Sequence, residues 1–468
     1  MLNSGVNNMF DVRGSMFDVM FDVGRWTLLC LILLTGSVVA QPIDSACGLA
    51  QGRDGQDKAV KVVTWTKDVA PIVYQNCASC HRTGEVAPFP LLTYGDAKRR
   101  SKEMALSVAA RTMPVWKPEK NYGEFVGERR LSDDQIATIK AWVDGGCAEG
   151  DAKDLPPEPK FGDGWAFGEP DLVVKMAEEY TVPAEGRDIY RNFAIPLNLT
   201  EEKYVRAVQF RPGNKKVVHH ALMFLDTTGD SRKKDEQDPK PGFGGGGLGL
   251  GAVSGGGLGG WAPGGVTQPM PDGIGKQIKK NSDLLLQLHF HPSGKVEKEL
   301  SQIGIWFCKE KPKKLVSMVP MGNRQLDIAP GDKNYKVEAQ FTTPVDVEFV
   351  GITPHAHYIA KEMKVWAVTP DKKEIPLVWI KDWDFDWQEQ YQFKTPVKIP
   401  KGTTVKMIYT YDNSADNPKN PATPPVRVRW GEQTTNEMAL TFFSAICENQ
   451  GDTMKLMAAI AMGFARGK

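Results

Sequence analysis

Short apolar segments alternate with polar residues beyond Trp165, and this pattern limits the fold more than any other feature of the sequence. Glycine, proline, asparagine and aspartate separate the segments, which include DLVVKM, YVRAVQF, VVHHALMFL, LLLQLHF, VDVEFVGI and VKMIYTY. Such spacing is typical of an all-β sandwich or barrel. A region of roughly 300 residues is too long for one sandwich of about 100 residues. We therefore predict two all-β, jelly-roll-like sandwich domains, residues 166–320 and 325–465, with the break between Val316 and Asp332.

The segment before this β region has helical spacing instead. LSDDQIATIKAWVDGG places Ser132 at its start, acidic residues in its first turn and glycines at its end, which are helix start and stop signals. SKEMALSVAARTM has helical spacing as well. We predict a small all-α domain over residues 58–151, followed by a proline-rich linker over residues 152–165.

One stretch inside the β region has low complexity. PGFGGGGLGLGAVSGGGLGGWAPGG is dominated by glycine and cannot supply a packed core. We predict a flexible loop there, which is either a passive insertion or a lid over a site.

Composition excludes one class of partner. The 468 residues carry a net charge of +1 and no long basic block, so nucleic-acid binding has no electrostatic support. Hydrophobic residues make up 41% and charged residues 25%, which is typical of a globular protein with a buried core.

The N-terminus has the pattern of an export signal. Arg25 precedes the apolar run WTLLCLILLTG, and SVVAQP offers a cleavage site after Ala40. The run is short for a membrane span. We predict a signal peptide over residues 1–40 and a periplasmic or secreted protein with no stable membrane span after cleavage; an uncleaved anchor is the alternative. Because MFDV recurs at Met9, Met16 and Met20, the true start codon stays open.

Export implies an oxidising compartment, in which cysteines form disulfides. Cys47 and Cys147 bracket the helical domain and could close it, and Cys308 could pair with Cys447. The sequence alone does not determine this connectivity.

The sequence CASCH fits C-x-x-C-H, the attachment site of a c-type haem. Cys77 and Cys80 would form the thioethers, and His81 would be the proximal iron ligand. A zinc site would need two further ligands nearby, which the adjoining sequence lacks. Met113, which precedes a proline in a loop, is the predicted second axial ligand. Met104 is the alternative, although its helical position favours core packing. TKDVAPIVYQNCASCH and the LSDDQIATIKAWVDGG helix resemble class I cytochromes c, which implies a cytochrome c-like haem domain over residues 58–151.

The seven histidines of the chain are confined to four short segments. They are His81, the neighbours His219 and His220, and the spaced pairs His289 with His291 and His355 with His357. A strand presents residues two apart on one side, so each spaced pair can act as a two-nitrogen chelate. Neighbours point to opposite faces and can share a metal only where the strand twists or bulges. Buried or surface histidines without a metal are the alternative, and the clustering favours metal binding.

Imidazoles without thiolates permit zinc, copper, iron or nickel. A thioether ligand favours copper, and Met438 in GEQTTNEMALTFF is the candidate. Considered alone, Met438 would be assigned to core packing.

The order H-H, Q-x-H, H-x-H and N-E-M resembles the type II, ascorbate-dependent copper monooxygenase family of peptidylglycine α-hydroxylating and dopamine β-monooxygenases. The resemblance covers roughly Asp171 to Asn449. It implies two copper ions in two β-sandwich domains that face each other across a solvent-filled cleft. The helical domain is not part of those animal enzymes.

The resemblance also implies the ligand sets. An electron-transfer copper would take His219, His220 and His289, with His291 as the alternative third ligand. A catalytic copper would take the residues His355, His357 and Met438.

The expected activity is hydroxylation of a C–H bond of an unidentified small substrate with dioxygen. Electrons would come from ascorbate, or from a periplasmic donor through the fused haem. The competing hypothesis is a non-catalytic haem and copper protein that transfers electrons or senses redox state. Pure electron-transfer copper sites prefer a cysteine thiolate, and none adjoins the histidine clusters.

Candidate substrate contacts are few. Glu437 could orient a polar group near the metal, but a solvated turn residue is the favoured interpretation. The aromatic residues Trp383, Trp387 and Tyr391 could line a pocket, but core packing is the favoured interpretation.

Overall fold

The computed structural model describes residues 62–466 except 86, 162–163, 245–255, 264, 266 and 432. These residues belong to one compact unit, Lys61–Lys468. The predicted signal peptide, the MFDV repeats and Cys47 lie outside the described residues. Within the described part, every helix is too short or too polar to cross a membrane.

Four helices form the first region. They are α1 (Ala70–Asn76), α2 (Tyr94–Arg99), α3 (Ser101–Ala109) and α4 (Asp133–Asp144). The predicted cap of α4 is confirmed, because the Ser132 hydroxyl accepts from the Gln135 amide at 3.2 Å and the Gln135 side chain accepts from the Ser132 amide at 2.9 Å. Trp65, Ile139 and Trp142 form the centre of the helical core.

Strands make up most of the remaining chain, which confirms the predicted predominance of β structure. The first half contains β1 (Leu172–Lys175), β2 (Tyr180–Val182), β3 (Ile189–Pro196), β4 (Lys203–Arg211), β5 (Val218–Asp226), α5 (Asp230–Gln237), β6 (Phe243–Gly244), β7 (Gly257–Trp261), β8 (Ile274–Ile278), β9 (Asp283–Phe290), β10 (Glu297–Glu299) and β11 (Gln302–Phe307). The second half contains β12 (Lys314–Gly322), β13 (Asp327–Ile328), β14 (Tyr335–Thr342), β15 (Val347–His355), β16 (Ala360–Val368), β17 (Glu374–Ile380), β18 (Tyr391–Ile399), β19 (Thr404–Tyr411), β20 (Val428–Arg429), β21 (Leu440–Ile446) and α6 (Gln450–Arg466).

One eight-stranded sheet runs through both halves. Its order is β1-β11-β4-β8-β12-β21-β15-β18, and β8 pairs with β12 in parallel through Ile274 with Lys314 and Gly275 with Leu315. The segment in which the sequence predicted a domain break therefore begins inside a strand, β12, near the middle of this sheet.

One further sheet completes the two layers of each half. The five-stranded sheet β6-β3-β9-β5-β7 belongs to the first half, and its core contains Phe193, Leu286 and Phe290. The four-stranded sheet β14-β19-β16-β17 belongs to the second half, and its core contains Phe349 and Tyr409. Each half thus has the layered construction expected of a β-sandwich, and the halves share the large sheet.

Part of the glycine-rich stretch is ordered in a sheet, so the prediction of a flexible loop is wrong there. Gly257–Trp261 form β7, which pairs with β5. A Cβ at Gly257 would lie 2.5 Å from the end of the flexible Met318 side chain, which would have to move to make room for it. Residues 245–255 of the stretch lie outside the described residues.

The predicted disulfide between Cys308 and Cys447 is not formed. Both thiols are free, as is that of Cys147, whose proposed partner Cys47 is not described. Cys308 lies against the carbonyl of Ile274 beside β8, whereas Cys447 packs at the edge of the second-half core. Cys308 follows β11 and Cys447 follows β21, and three other strands lie between β11 and β21 in the large sheet.

The loop between α3 and α4 joins the helical region to the second half. Backbone bridges link Phe125 to Phe393, and the Arg129 guanidinium pairs with the Glu389 carboxylate at 2.7 Å. Trp116 packs edge-on against Tyr391. This contact brings the helical region close to the segment that connects β17 and β18.

Candidate metal centres

His219, His220 and His289 converge on one point between two neighbouring strands. β5 and β9 are antiparallel, and their register pairs His220 with His289. The register shifts between Val218 and His220, so the strand is irregular at His219. Adjacent histidines can share a metal only where a strand twists or bulges, and the irregularity at His219 provides such a place.

The ring nitrogens face each other closely enough to hold one ion. The Nδ1 atom of His220 lies 3.3 Å from Nδ1 of His219 and 3.2 Å from Nδ1 of His289. All three candidate ligand atoms lie within 4.8 Å of one another.

Two carboxylates set the tautomers of this triad. Asp386 accepts from Nε2 of His219 at 2.9 Å, and Asp188 accepts from Nε2 of His289 at 2.9 Å. With Nε2 protonated, the Nδ1 lone pairs of both rings point at His220. Carboxylates that bind the outer nitrogen of a metal-ligating histidine orient the ring and raise its basicity in the same way.

Burial keeps the centre of the triad uncharged. It lowers the pKa of His220 well below the ordinary value of 6.5, and the neighbouring rings of His289 and His219 lower it further. Burial also lowers the pKa of His289, although Asp188 opposes that shift. Three imidazoles whose Nδ1 atoms converge fit a transition-metal ion.

His291 is not part of the triad. Its ring is exposed, and its Nδ1 contacts the other oxygen of Asp188 at 2.8 Å. His291 lies one residue beyond the end of β9, and its ring contacts Asp188 instead of the rings of His219 and His220. The geometry therefore favours His289, as the sequence did.

The second histidine pair lies at the end of β15. His355 Nδ1 contacts the Gln388 side-chain oxygen at 2.6 Å, and His357 Nδ1 contacts the Asn436 carbonyl at 3.0 Å. The two ring centroids are 5.4 Å apart. Because Nδ1 donates in both rings, the Nε2 lone pair of each is available to a metal.

Glu437 holds the second centre together from inside the protein. Its carboxylate accepts from the backbone amides of His357 at 2.7 Å, Ile359 at 2.9 Å and Met438 at 3.1 Å. Burial raises its pKa to about 8 in spite of these donors. Since the side chain is fully buried and engaged with backbone, the suggested role in orienting a substrate group is wrong.

The same carboxylate ties the backbone of Met438 to the backbone of His357. Met438 is 5% exposed, and its carbonyl accepts from the Tyr411 hydroxyl at 2.7 Å. The Trp383 indole donates to the His357 carbonyl at 3.0 Å. Trp383 and Tyr391 are buried, in agreement with the favoured core-packing interpretation.

A short turn contacts both centres, and the sequence reading missed it. Asp386 contacts His219, and Gln388 contacts His355. The same turn contains Phe385. Its ring stacks on His219 at 5.3 Å and meets the His357 ring edge-on at 5.6 Å. Both centres therefore contact the same phenyl ring. The signal available in sequence was the alternation of acids with aromatic residues in DWDFDWQEQ.

A cavity of about 200 Å³ adjoins both centres, and His220 and His355 contribute to its wall. Most of its lining is apolar and comes from Val205, Phe210, Leu258, Trp261, Met318 and Phe442. An apolar cavity with one imidazole of each cluster in its wall can present a small molecule to a bound metal.

The C-x-x-C-H residues follow α1. The His81 amide donates to the Cys77 carbonyl at 2.9 Å, and the Cys80 amide donates to the same carbonyl at 3.1 Å. His81 Nδ1 contacts the Phe89 carbonyl at 3.1 Å, which leaves Nε2 free for an iron ion. Met104 is buried in the helical core, whereas Met113 is 38% exposed.

Comparisons with known proteins give no family assignment. No family model matches the chain, and no curated protein matches it. The major capsid protein P2 of bacteriophage PM2 is 9% identical, with a TM-score of 0.21 and coverage of 55% of this chain and 97% of that one. The VP2 subviral particle of infectious bursal disease virus is 9% identical, with a TM-score of 0.18 and coverage of 62% and 74%. Likenesses of this size carry no argument.

The geometry of the triad predicts that substitutions of His289 and His291 differ in their effect on metal content. His289→Ala removes a converging Nδ1 atom, so we expect the copper-loaded chain to lose about one metal ion relative to wild type. His291→Ala is the matched control, because its ring lies outside the triad, and it keeps the full content. Elemental analysis after gel filtration measures both. The assignment fails if His291→Ala loses the ion and His289→Ala retains it.

Burial of His357 predicts an acid-dependent stability. Burial lowers the pKa of His357 from 6.5 to about 3, so folding favours the neutral ring. Its contribution is complete above pH 6.5 and is lost as the pH falls from there toward 3, at up to about 1.4 kcal/mol per pH unit. Urea unfolding of the metal-free protein between pH 7 and 4 measures this slope. We expect His357→Asn to flatten it, and equal slopes in the two proteins would contradict the burial argument.

Proposed function

We propose that this chain is an exported, copper-dependent monooxygenase that hydroxylates a C–H bond of a small substrate with dioxygen. One observation carries the proposal: the imidazoles of His219, His220 and His289 converge through Nδ1 beside a cavity that His355 also lines. The order of the ligand motifs in the sequence supports copper as the metal. Export rests on the N-terminal sequence.

The first copper would be held by His219, His220 and His289. Asp386 and Asp188 keep the outer rings in the tautomer that donates a lone pair inward. The resemblance to the copper monooxygenase family assigns this centre the storage and release of an electron.

The second copper would be held by His355, His357 and Met438. Bound copper would supply the activation of dioxygen, and a thioether ligand favours its reduced state. The chain itself positions the rings through Gln388 and Glu437 and restricts water through the apolar cavity wall.

The helical region would bind haem c through Cys77, Cys80 and His81, with Met113 as the second axial ligand. A bound haem would supply single electrons. The loop after the motif contacts the first copper half directly, because the Lys215 ammonium pairs with the Glu85 carboxylate at 2.8 Å and donates to the Gly84 carbonyl at 3.3 Å. Lys215 lies just before β5, so this contact supports delivery of electrons to the triad.

A non-catalytic electron carrier or redox sensor is the second candidate. The cavity distinguishes this candidate from the monooxygenase. An electron carrier gains nothing from an apolar cavity at both centres, whereas an enzyme requires one.

The class can be tested by combining metal analysis with oxygen uptake. We expect about two coppers and one iron per chain after export-competent expression, and ascorbate-dependent oxygen consumption. His355→Ala should abolish turnover and keep the electron paramagnetic resonance signal of the triad copper, whereas His291→Ala should change neither. Zinc in place of copper, or unchanged oxygen uptake in His355→Ala, contradicts the proposal.

Loss of the contact between Lys215 and Glu85 should slow the reduction of the triad copper. Lys215→Met removes the pairing with Glu85, so we expect a severalfold lower rate of haem-to-copper electron transfer in stopped-flow spectra. Lys216→Met changes the next, exposed lysine and should retain the wild-type rate. Equal rates in the two variants would exclude this contact as the route.

A further inference from the structure

The cavity between the histidine clusters contains a buried cation that the proposed chemistry does not use. Lys276 lies on β8, is 5% exposed and contributes to the cavity wall. Its ammonium donates to the carbonyls of Gly257 at 3.3 Å and Leu258 at 3.2 Å. An ammonium has three donors, so one remains for a ligand.

Within the described residues, Lys276 has no carboxylate partner. Glu389 also lines the cavity, but it is paired with Arg129 at 2.7 Å. Arg206 adds a second cation to the lining. Burial lowers the pKa of Lys276 to about 8, so the side chain keeps its positive charge at neutral pH. A buried cation without a counter-charge is unfavourable, and an anionic ligand would remove that cost.

A structural role alone does not account for this lysine. Two hydrogen bonds to β7 carbonyls need a donor but not a charge. They also do not require the side chain to face an apolar cavity. A ligand carboxylate would use both the charge and the free donor, since charge-assisted hydrogen bonds are about twice as strong as neutral ones.

The position of Lys276 relative to the second centre sets the shape of the ligand. The strand order β8-β12-β21-β15 separates Lys276 from His355 by three steps of the sheet. At about 4.8 Å per step the two strands are ~14 Å apart. Met318 and Phe442 cover the intervening floor, so the ligand between the two ends is apolar.

We propose that this cavity binds an elongated monocarboxylate, with the carboxylate at Lys276 and the apolar chain directed toward His355. The identification of this ligand as the substrate rests on the proposed monooxygenase function. Binding of the anion at Lys276 does not, since it requires no metal.

Calorimetric titration of the full, metal-free chain tests the proposal with octanoate and octanamide, which differ in charge but hardly in shape. We expect octanoate to bind at least about tenfold more tightly. Lys276→Met should abolish this preference, and Lys279→Met, which alters an exposed lysine nearby, should retain it. Thermal unfolding confirms that each variant is folded.

The wild-type comparison keeps the test decisive even if Lys276→Met does not fold. Equal binding of octanoate and octanamide overturns the proposal, as does an acid preference that survives in Lys276→Met. A preserved preference in a chain that binds no copper would remove the proposed function and leave the anion site. Copper-dependent oxygen uptake in a chain that binds octanoate and octanamide equally would support the proposed function and remove the anion site.

Discussion

Pairing of β8 with β12 is the constraint on which the site depends. This short parallel contact joins the two halves into one sheet, with Ile274 opposite Lys314 and Gly275 opposite Leu315. Space at the junction is limited, because a Cβ at Gly275 would lie 3.0 Å from the Cys308 sulfur. With the halves held side by side, β5 of one half and β15 of the other present their histidines to the same cavity.

The electrostatics of the triad depend on that junction as well. His219 belongs to the first half, but its orienting carboxylate, Asp386, comes from the second. The Phe385 ring beside it contacts His219 and His357 together. Neutral, buried imidazoles are costly to charge, so the arrangement suits a metal and resists protonation. Assembly of the triad is therefore coupled to the docking of the two halves.

The sequence was informative where the signal is local. Alternating apolar runs predicted the β structure, the Ser132 pattern predicted the start of α4, and the Q-x-H spacing favoured His289 over His291. Nonlocal features were missed. Nothing near Val316 indicates that β12 continues the sheet of the first half, because strand pairing across a junction leaves no periodic pattern in either segment.

Roles that depend on tertiary contacts were also beyond sequence reasoning. Phe385 and Asp386 lie about 100 residues or more from most of their partners, and Glu437 resembles a solvated turn residue until its three amide donors are known. Lys276 looks like an ordinary strand lysine, and only burial distinguishes it from Lys279. Glycine-rich β7 was assigned to a loop because low complexity conceals a strand in which Leu258 and Trp261 carry the packing contacts.

Anomalous diffraction at the copper absorption edge, from crystals of the copper-loaded chain, tests the central claim most directly. The account predicts two separate peaks, one bounded by the Nδ1 atoms of His219, His220 and His289 and the other by His355, His357 and the sulfur of Met438. A map without a peak among the three Nδ1 atoms, or with copper bound instead at the exposed ring of His291, would contradict it.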